Sequence, residues 1–380
     1  MKLILSIITK SRDIEEMIPK RTKRMTSEWL NDALHSSGYL KDINIESISR
    51  EPWGAGEGFV SDMARLTLKY DKESPNLPET MIVKMPTTFR TALAIAEQYN
   101  LYEREIRFYT EVAPQSPIRT PGVIYHGFDK EAKRYILILD DCSCYEQIDQ
   151  IKGMNEDQTR QVIDTIAEFH SRWWDSPDLY SFDWMPKPKD DVSKSMVDTF
   201  RNSWDLSVKS EEFQKFLPEG SLQAGQIIHE QFPWLVTDIP DDNMTISHFD
   251  FRVDNLFFDW ENKENPIIII DWGSAVVNGG ILDIGYLLAE SVEIDLRRKI
   301  EKDMVKHYIK RLEEKEITGF DFDFAWENYL KALMCYAYIP VLSFAQLDRS
   351  DPRAMKLFEV NTKRQFQAII DNDATSICPS

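Results

Sequence analysis

The spacing of apolar residues along the chain divides it into a strand-rich first part and a helix-rich second part. Over residues 64–68 apolar and polar side chains alternate, which is the period of a half-buried strand. Over residues 157–174 apolar side chains recur every three or four positions, which is the period of a helix that packs on one face. The pattern predicts an α+β lobe of residues 1–140 and a large, mainly helical lobe of residues 141–380.

Individual elements follow from the same patterns. In the first lobe we expect helices over residues 26–36 and 96–112, together with five short strands that form one dominant sheet. The first two strands form a hairpin around a glycine-rich turn. In the second lobe, strand-like runs occupy residues 255–259 and 266–271. The predicted helices of that lobe are residues 157–174, 194–206, 222–232, 282–292, 295–314, 324–344 and 352–371.

Composition and charge narrow the classes of function. The 380 residues include 45 basic and 64 acidic ones, so the net charge is −19, and no basic run is long enough to follow a nucleic-acid backbone. The four cysteines show neither zinc-ligand spacing nor a disulfide framework. No segment approaches the ~20 apolar residues of a membrane span, and the opening residues lack a signal-peptide cleavage site. We therefore expect a cytoplasmic protein with neither nucleic acid nor membrane as a partner.

Acidic and amide side chains interrupt a strongly apolar stretch at residues 246–260. His248, Asp250 and Asn255 have the spacing H-x-D-x-x-x-x-N, and Asp271 ends a buried strand sixteen residues after the asparagine. A buried carboxylate is costly unless it finds a partner. An amide oxygen and a carboxylate can together hold Mg²⁺, which leaves Asp250 free to accept a hydroxyl proton. The alternative is a hydrogen-bonded turn without catalysis, which the aspartate-terminated strand disfavours.

A lysine lies in the middle of an apolar strand of the first lobe. Lys84 would be costly there as a bare ammonium, and Glu105 on the following helix is placed to pair with it. Glu103 is a rival partner, but it lies about 200° around the helix from Glu105. A lysine held in this way can bind nucleotide phosphates. The alternative is an edge-strand lysine that points to water.

Three glycines occupy the turn between the first two strands. Gly56 and Gly58, with Gly54, would let backbone amides approach a phosphate, and Ser61 directly after them could add a hydroxyl donor. The same glycines also suit an ordinary hairpin turn.

Taken in chain order, these segments resemble the small-molecule phosphotransferases of the protein-kinase-like superfamily. That group includes the aminoglycoside phosphotransferases, choline kinases and ecdysteroid-kinase-like proteins, and the last are the most similar. The resemblance covers residues 26–370. The matching segments are GAGEGFVSD, MIVKMP, REIRFY, LILDD, IAEFHSRWW, HFDFRVDNLFF and IIDWG.

The resemblance implies a bilobal protein-kinase-like fold and a role for each matched residue. Lys84 would contact the α- and β-phosphates of ATP and pair with Glu105, Asp250 would be the catalytic base, and Asn255 and Asp271 would bind Mg²⁺. The hinge segment that meets adenine through its backbone would consist of Leu139, Asp140, Asp141 and Cys142. Two features depart from the family: Phe249 stands where glycine is common, and the glycine loop does not follow G-x-G-x-x-G.

Three further features favour a structural interpretation. His170 lies on the apolar face of its helix and is expected to support the neighbouring loop, and Asp283 is expected to cap its own helix. The tryptophans at 173, 174, 184 and 204 are expected in the core, although they could also line an acceptor pocket.

The sequence therefore predicts an ATP- and Mg²⁺-dependent kinase that phosphorylates a hydroxyl of a small molecule. We expect a bulky, mostly neutral alcohol as acceptor, whereas the net negative charge would favour a cationic acceptor of the aminoglycoside or choline type. A nucleotide-binding pseudokinase without turnover is a second alternative. A protein kinase is disfavoured, because no A-P-E segment or activation loop follows Asp271.

Overall fold

The computed structural model describes residues 18–53, 60–73, 75–345 and 347–379. The chain divides into two compact units. Unit 1 comprises Met1–Val112 with Thr120–Cys144, and unit 2 comprises Ala113–Arg119 with Tyr145–Ser380. Unit 1 contains the sheet and unit 2 contains most of the helices. Within the described ranges, no helix is both long and apolar enough to cross a membrane.

Unit 1 is built on a five-stranded antiparallel sheet. Its strands are β1 (Ile45–Pro52), β2 (Ser61–Tyr70), β3 (Thr80–Pro86), β4 (Val123–Asp129) and β5 (Arg134–Asp140). Their order across the sheet is β1-β2-β3-β5-β4, so β3 lies between β2 and β5. Helix α1 (Ser27–Ser36) starts at Thr26, whose hydroxyl accepts a hydrogen bond from the Trp29 amide at 3.1 Å. Its apolar face joins the core formed by one side of the sheet.

The helix predicted over residues 96–112 is divided into shorter pieces. Helix α2 (Arg90–Gln98) ends before Asn100, which has the left-handed backbone conformation (φ 53°), and α3 (Leu101–Arg107) begins after it. A π-helical turn, Phe108–Val112, follows directly. A left-handed residue cannot continue an α-helix, so the apolar stripe spans a break that periodicity does not reveal.

Unit 2 consists mainly of helices. They are α4 (Glu156–Trp173), α5 (Asp191–Ser207), α6 (Glu211–Gln214), α7 (Ser221–Thr237), α8 (Ile281–Ser291), α9 (Ile294–Glu313), α10 (Phe322–Tyr336), α11 (Tyr338–Phe344) and α12 (Pro352–Asp371). The start of α4 is fixed by a capping box, in which Asn155 and Gln158 exchange side-chain to backbone hydrogen bonds.

Two small antiparallel sheets in unit 2 hold the loops that carry the polar motif. Strands β7 (Leu256–Phe258) and β8 (Ile267–Ile269) pair as one hairpin, which confirms the two predicted strand-like runs. Strand β6 (Met244–Ser247) pairs with β9 (Val276–Gly279), and this sheet was not predicted. At four residues each, β6 and β9 are too short to show a clear period.

Candidate active site

Three of the predicted site residues lie together in unit 2, on the loop after β6 and at the end of β8. The Asn255 side-chain amide donates to the Asp250 carboxylate at 3.0 Å and to the Asp250 backbone carbonyl at 2.8 Å. The Ile270 amide donates to the Asn255 carbonyl at 3.0 Å, which brings the residue before Asp271 against the loop. The hairpin of β7 and β8 therefore sets the separation between the loop and Asp271.

The Asp250 carboxyl group lies in a mostly buried setting. Its side chain is 27 % exposed, and its Oδ1 lies 3.3 Å from Nε of Arg252. Burial raises the pKa of Asp250, the guanidinium of Arg252 opposes that effect, and the nearby charge of Asp271 adds to it. The negative charges of Asp250 and Asp271 therefore repel one another. Such an arrangement can attract a cation or hold a proton acceptor.

The Asn255 side-chain nitrogen binds Asp250, so the amide oxygen is the atom that could coordinate a metal. Its nitrogen makes both contacts with Asp250, and Asn255 is only 4 % exposed. The amide oxygen and the Asp271 carboxylate are hard ligands of the kind that Mg²⁺ prefers. Among the described residues, no group of three or more His, Cys, Asp and Glu side chains could hold a metal. Mg²⁺ commonly takes one or two carboxylates and completes its shell with phosphate and water, so a pair of protein ligands fits it.

Asp283 fixes the conformation of the loop that carries Asp250. Its carboxylate accepts hydrogen bonds from the backbone amides of His248 at 2.7 Å and Phe249 at 2.9 Å, and from the Ser247 hydroxyl at 2.8 Å. Asp283 lies in the first turn of α8 and makes no capping bond there, so the expected helix cap is wrong. Asp283 has no exposed surface, and the hydrogen bonds that its carboxylate accepts explain this burial better than a helix cap does.

His170 supports Asp283 from the other side. Its Nε2 lies 3.2 Å from the Asp283 carboxylate, and its Nδ1 lies 2.8 Å from the hydroxyl of Tyr308. Burial opposes ionisation of Asp283, but the hydrogen bond and the charge from His170, with a contribution from His248, bring its pKa below the ordinary value. His170 is completely buried. Its position agrees with the predicted structural role next to the loop.

Phe249 has a backbone conformation that favours glycine. Its φ is 64°, in the left-handed region that glycine adopts without strain. The phenyl ring packs on Tyr336, with a centroid distance of 5.5 Å, and Tyr336 stacks on Tyr286 at 4.2 Å. Here a ring contact accompanies a backbone conformation that is costly for phenylalanine.

Lys84 and Glu105 form a buried ion pair in unit 1. Lys84 lies on the central strand β3, between Met63 on β2 and Leu137 on β5, and is 8 % exposed. Its Nζ contacts the Glu105 carboxylate, which is 5 % exposed. The predicted pairing is present, and an edge position open to water is excluded.

Glu103 has different partners. Its carboxylate lies 2.7 Å from Nζ of Lys130 and accepts a hydrogen bond from the Asn100 side chain at 3.0 Å. The two glutamates therefore face in different directions from α3, as their positions around the helix required.

The predicted adenine-binding segment leaves β5. Leu139 and Cys142 are buried, and the Asp140 carboxylate accepts a hydrogen bond from the Gly122 amide at 3.1 Å. Asp141 pairs with Arg65 at 2.6 Å and accepts from the Ser143 amide at 2.9 Å. The acidic side chains are thus occupied within unit 1.

The predicted phosphate loop is described only at its end. Ser61 is the first residue of β2 and lies opposite Pro86, the last residue of β3. Gly56 and Gly58 lie outside the described residues. Three of the four tryptophans considered as pocket residues, at 173, 184 and 204, are buried in the core.

Sequence reasoning did not identify the residues that surround Asp250. Arg252 lies within the motif itself, and its charge next to two acids is a signal that was available. Gln150 contacts Arg252 at 2.8 Å from a distant part of the chain. No local pattern marks a residue of that kind.

Comparisons with known proteins agree with the fold. A search of curated protein sequences gave no significant match. Among solved structures, a Ralstonia eutropha protein described as an aminoglycoside phosphotransferase is 15% identical to this chain. The match covers 92% of this chain and 99% of that chain, with a TM-score of 0.53. A GDP complex of an aminoglycoside 2'-phosphotransferase of type IIIa is 14% identical, with coverage of 90% and 97% and a TM-score of 0.52. Plasmodium vivax ethanolamine kinase is 10% identical, with coverage of 86% and 84% and a TM-score of 0.51.

These similarities confirm the predicted bilobal, protein-kinase-like fold with a sheet-rich first part and a helical second part. A family profile described as the ecdysteroid kinase-like family matches residues 55–318, which is more than half of the chain. The sequence motifs, the fold and this match agree, and the chain belongs to the ecdysteroid kinase-like family.

Proposed function

We propose that the protein transfers the γ-phosphate of ATP to a hydroxyl group of a small molecule in a Mg²⁺-dependent reaction. The observation that carries the proposal is the arrangement of Asp250, Asn255 and Asp271 on one loop and one strand end of unit 2. Family membership supports a phosphotransferase of small molecules. The GDP complex of a structural neighbour supports the use of a nucleotide.

Each residue has a role that its setting suits. The Asp250 carboxylate would accept the proton of the acceptor hydroxyl while the acceptor oxygen attacks the γ-phosphorus and ADP departs. Lys84, held by Glu105, would bind the α- and β-phosphates, with help from Ser61 and the amides of Gly56 and Gly58. The backbone of residues 139–142 would contact adenine.

Asn255 and Asp271 would hold the metal through the amide oxygen and the carboxylate. When bound, Mg²⁺ would neutralise charge on the β- and γ-phosphate oxygens. Asp271 would supply the negative charge that the amide cannot. The contact between the Ile270 amide and the Asn255 carbonyl keeps these two ligands at a fixed spacing.

We propose a bulky, mostly neutral alcohol as the acceptor. The half-buried Phe249 ring next to Asp250 supports this choice, since it would offer the acceptor an apolar contact. Against it, the chain carries a net charge of −19, and the structural neighbours include an ethanolamine kinase. A cationic acceptor is therefore the second candidate.

The test is ATP consumption with Mg²⁺ across a panel of hydroxylated apolar compounds, aminoglycosides and choline. Asp250→Asn should lose on the order of 10²-fold in kcat, while its nucleotide affinity stays close to wild type. Asp303→Asn, which removes a carboxylate on the exposed side of α9, is the matched control and should keep full activity.

Each result has a different meaning. Normal turnover in Asp250→Asn removes Asp250 from the mechanism. Turnover only with amines overturns the neutral acceptor. Nucleotide binding without turnover of any acceptor identifies a pseudokinase. The domain boundary at residue 140, the cytoplasmic location and the lack of a nucleic-acid partner stay predictions.

A further inference from the structure

Three acidic residues lie on or beside the loop that follows β6, and an arginine lies between two of them. The Arg252 side chain is 16 % exposed, with Nε 3.3 Å from Asp250 and a terminal nitrogen 3.2 Å from Asp254. Asp271 contributes to the local field of both Asp250 and Arg252. A flexible charged side chain held between two carboxylates in a mostly buried setting has few other conformations open to it.

The guanidinium is fixed from the side away from Asp250. Its terminal nitrogen donates to the Gln150 side-chain oxygen at 2.8 Å, and Gln150 has no exposed surface. The Gln150 backbone amide donates in turn to the Asp254 carboxylate at 3.2 Å. Asp254 is further held by its backbone carbonyl, which accepts from the Gln147 side chain at 2.7 Å. Through these contacts, the buried residues Gln150 and Asp254 hold the guanidinium of Arg252 in place.

We propose, on the basis of the proposed function, that Arg252 is a positioning residue that holds the Asp250 carboxylate in its reactive orientation. Asn255 contacts one carboxylate oxygen and Arg252 contacts the other. Two contacts on different oxygens restrict the rotation of the carboxylate about its Cβ–Cγ bond more than either contact alone would. Arg252 itself touches neither nucleotide nor acceptor in this proposal.

The consequence is that loss of Arg252 acts only through Asp250. Arg252→Ala should lower kcat by roughly 10- to 100-fold in proportion to the misplacement of the base, with nucleotide affinity unchanged. Arg252→Lys should recover part of that loss, since an ammonium can reach Asp250 but cannot also keep the planar contact with Gln150. Guanidinium added at low, non-denaturing concentration should partly restore Arg252→Ala.

The decisive experiment is a double-mutant cycle with Asp250→Asn, measured as ATP turnover together with nucleotide affinity by calorimetry. Arg252→Ala should have a large effect in the wild-type background and little effect in the Asp250→Asn background. Equal losses in both backgrounds, or a loss of nucleotide affinity, would overturn the proposal in favour of a purely structural role or a phosphate contact.

A matched control and a structural readout complete the test. Arg160→Ala removes an arginine of α4 that pairs with Glu156 at 3.2 Å and is 38 % exposed, and it should leave turnover unchanged. In a crystal structure of Arg252→Ala, the Asp250 carboxylate should be rotated. An unchanged orientation of Asp250 would overturn the proposal about Arg252. This readout does not depend on turnover, so an inactive wild-type protein would refute the proposed function separately.

Discussion

Glu290 is a buried carboxyl group of α8 whose charge state should set how the stability of unit 2 depends on pH. It is 1 % exposed, and its Oε2 lies 3.4 Å from the side-chain nitrogen of Gln150. Among the described contacts, its Oε1 has no hydrogen-bond partner. Burial raises the pKa of Glu290 from 4.5 to about 8, although the guanidinium groups of Arg252 and Arg364 favour the ionised form.

The sign of the effect follows from proton linkage. Because the folded state holds the proton more tightly than the unfolded state, the neutral carboxyl contributes fully to stability below pH 4.5. That contribution is lost progressively as the pH rises from 4.5 to about 8. A difference of 8 − 4.5 = 3.5 between the two pKa values corresponds to about 5 kcal/mol, because one pKa unit is about 1.4 kcal/mol. About 5 kcal/mol is therefore the upper bound on the loss.

The perturbation is Glu290→Gln, which keeps the shape and removes the titration. Urea unfolding followed by tryptophan fluorescence suits the assay, since eight of the ten tryptophans lie in unit 2. Between about pH 5 and about pH 9, the wild-type free energy of unfolding should fall relative to that of Glu290→Gln, by up to about 5 kcal/mol. Glu313→Gln, at an exposed glutamate, should follow the wild type. Parallel curves for wild type and Glu290→Gln would refute the reasoning.

Three further predictions concern the loop and the metal. Asp271→Ala should abolish the Mg²⁺ dependence of ATP binding in calorimetry, and an unchanged dependence would remove Asp271 from the metal site. Phe249→Gly should be more stable than Phe249→Ala by about 1 kcal/mol in urea unfolding, because φ is 64° and glycine alone adopts it without strain; the opposite order would contradict the strain. Asp283→Asn should lower the free energy of unfolding by about 2–4 kcal/mol, since it replaces an acceptor of several buried donors, and it should speed amide exchange at His248. Unchanged exchange would show that another group holds the loop.

The sequence is informative where chemistry and spacing are local. The predicted spacing of Asp250, Asn255 and Asp271 corresponds to a real cluster, because all three lie within one loop, one hairpin and the end of its second strand. Similarly, helix geometry shows that Glu103 and Glu105 cannot both face Lys84, and Glu105 is the one that pairs with it.

Features that depend on distant residues could not be read in this way. Asp283 looks like a helix cap in sequence, and only the folded chain shows that it binds the backbone of a loop some 35 positions earlier. Gln150 reaches Arg252 across 102 positions. The helix break at Asn100 depends on one backbone conformation, which apolar periodicity does not encode.

The buried pair of Lys84 and Glu105 restricts how this sequence can change over time. Both side chains are almost fully removed from solvent, so loss of either one leaves an uncompensated charge and costs about 3–5 kcal/mol. Joint replacement by apolar residues of similar volume is close to neutral for stability. If the proposed phosphate binding were lost in evolution, removal of the pair would therefore require either a destabilised single mutant or two simultaneous substitutions. The pair would therefore persist after the proposed activity had been lost, so its presence alone does not show that the protein is catalytically active.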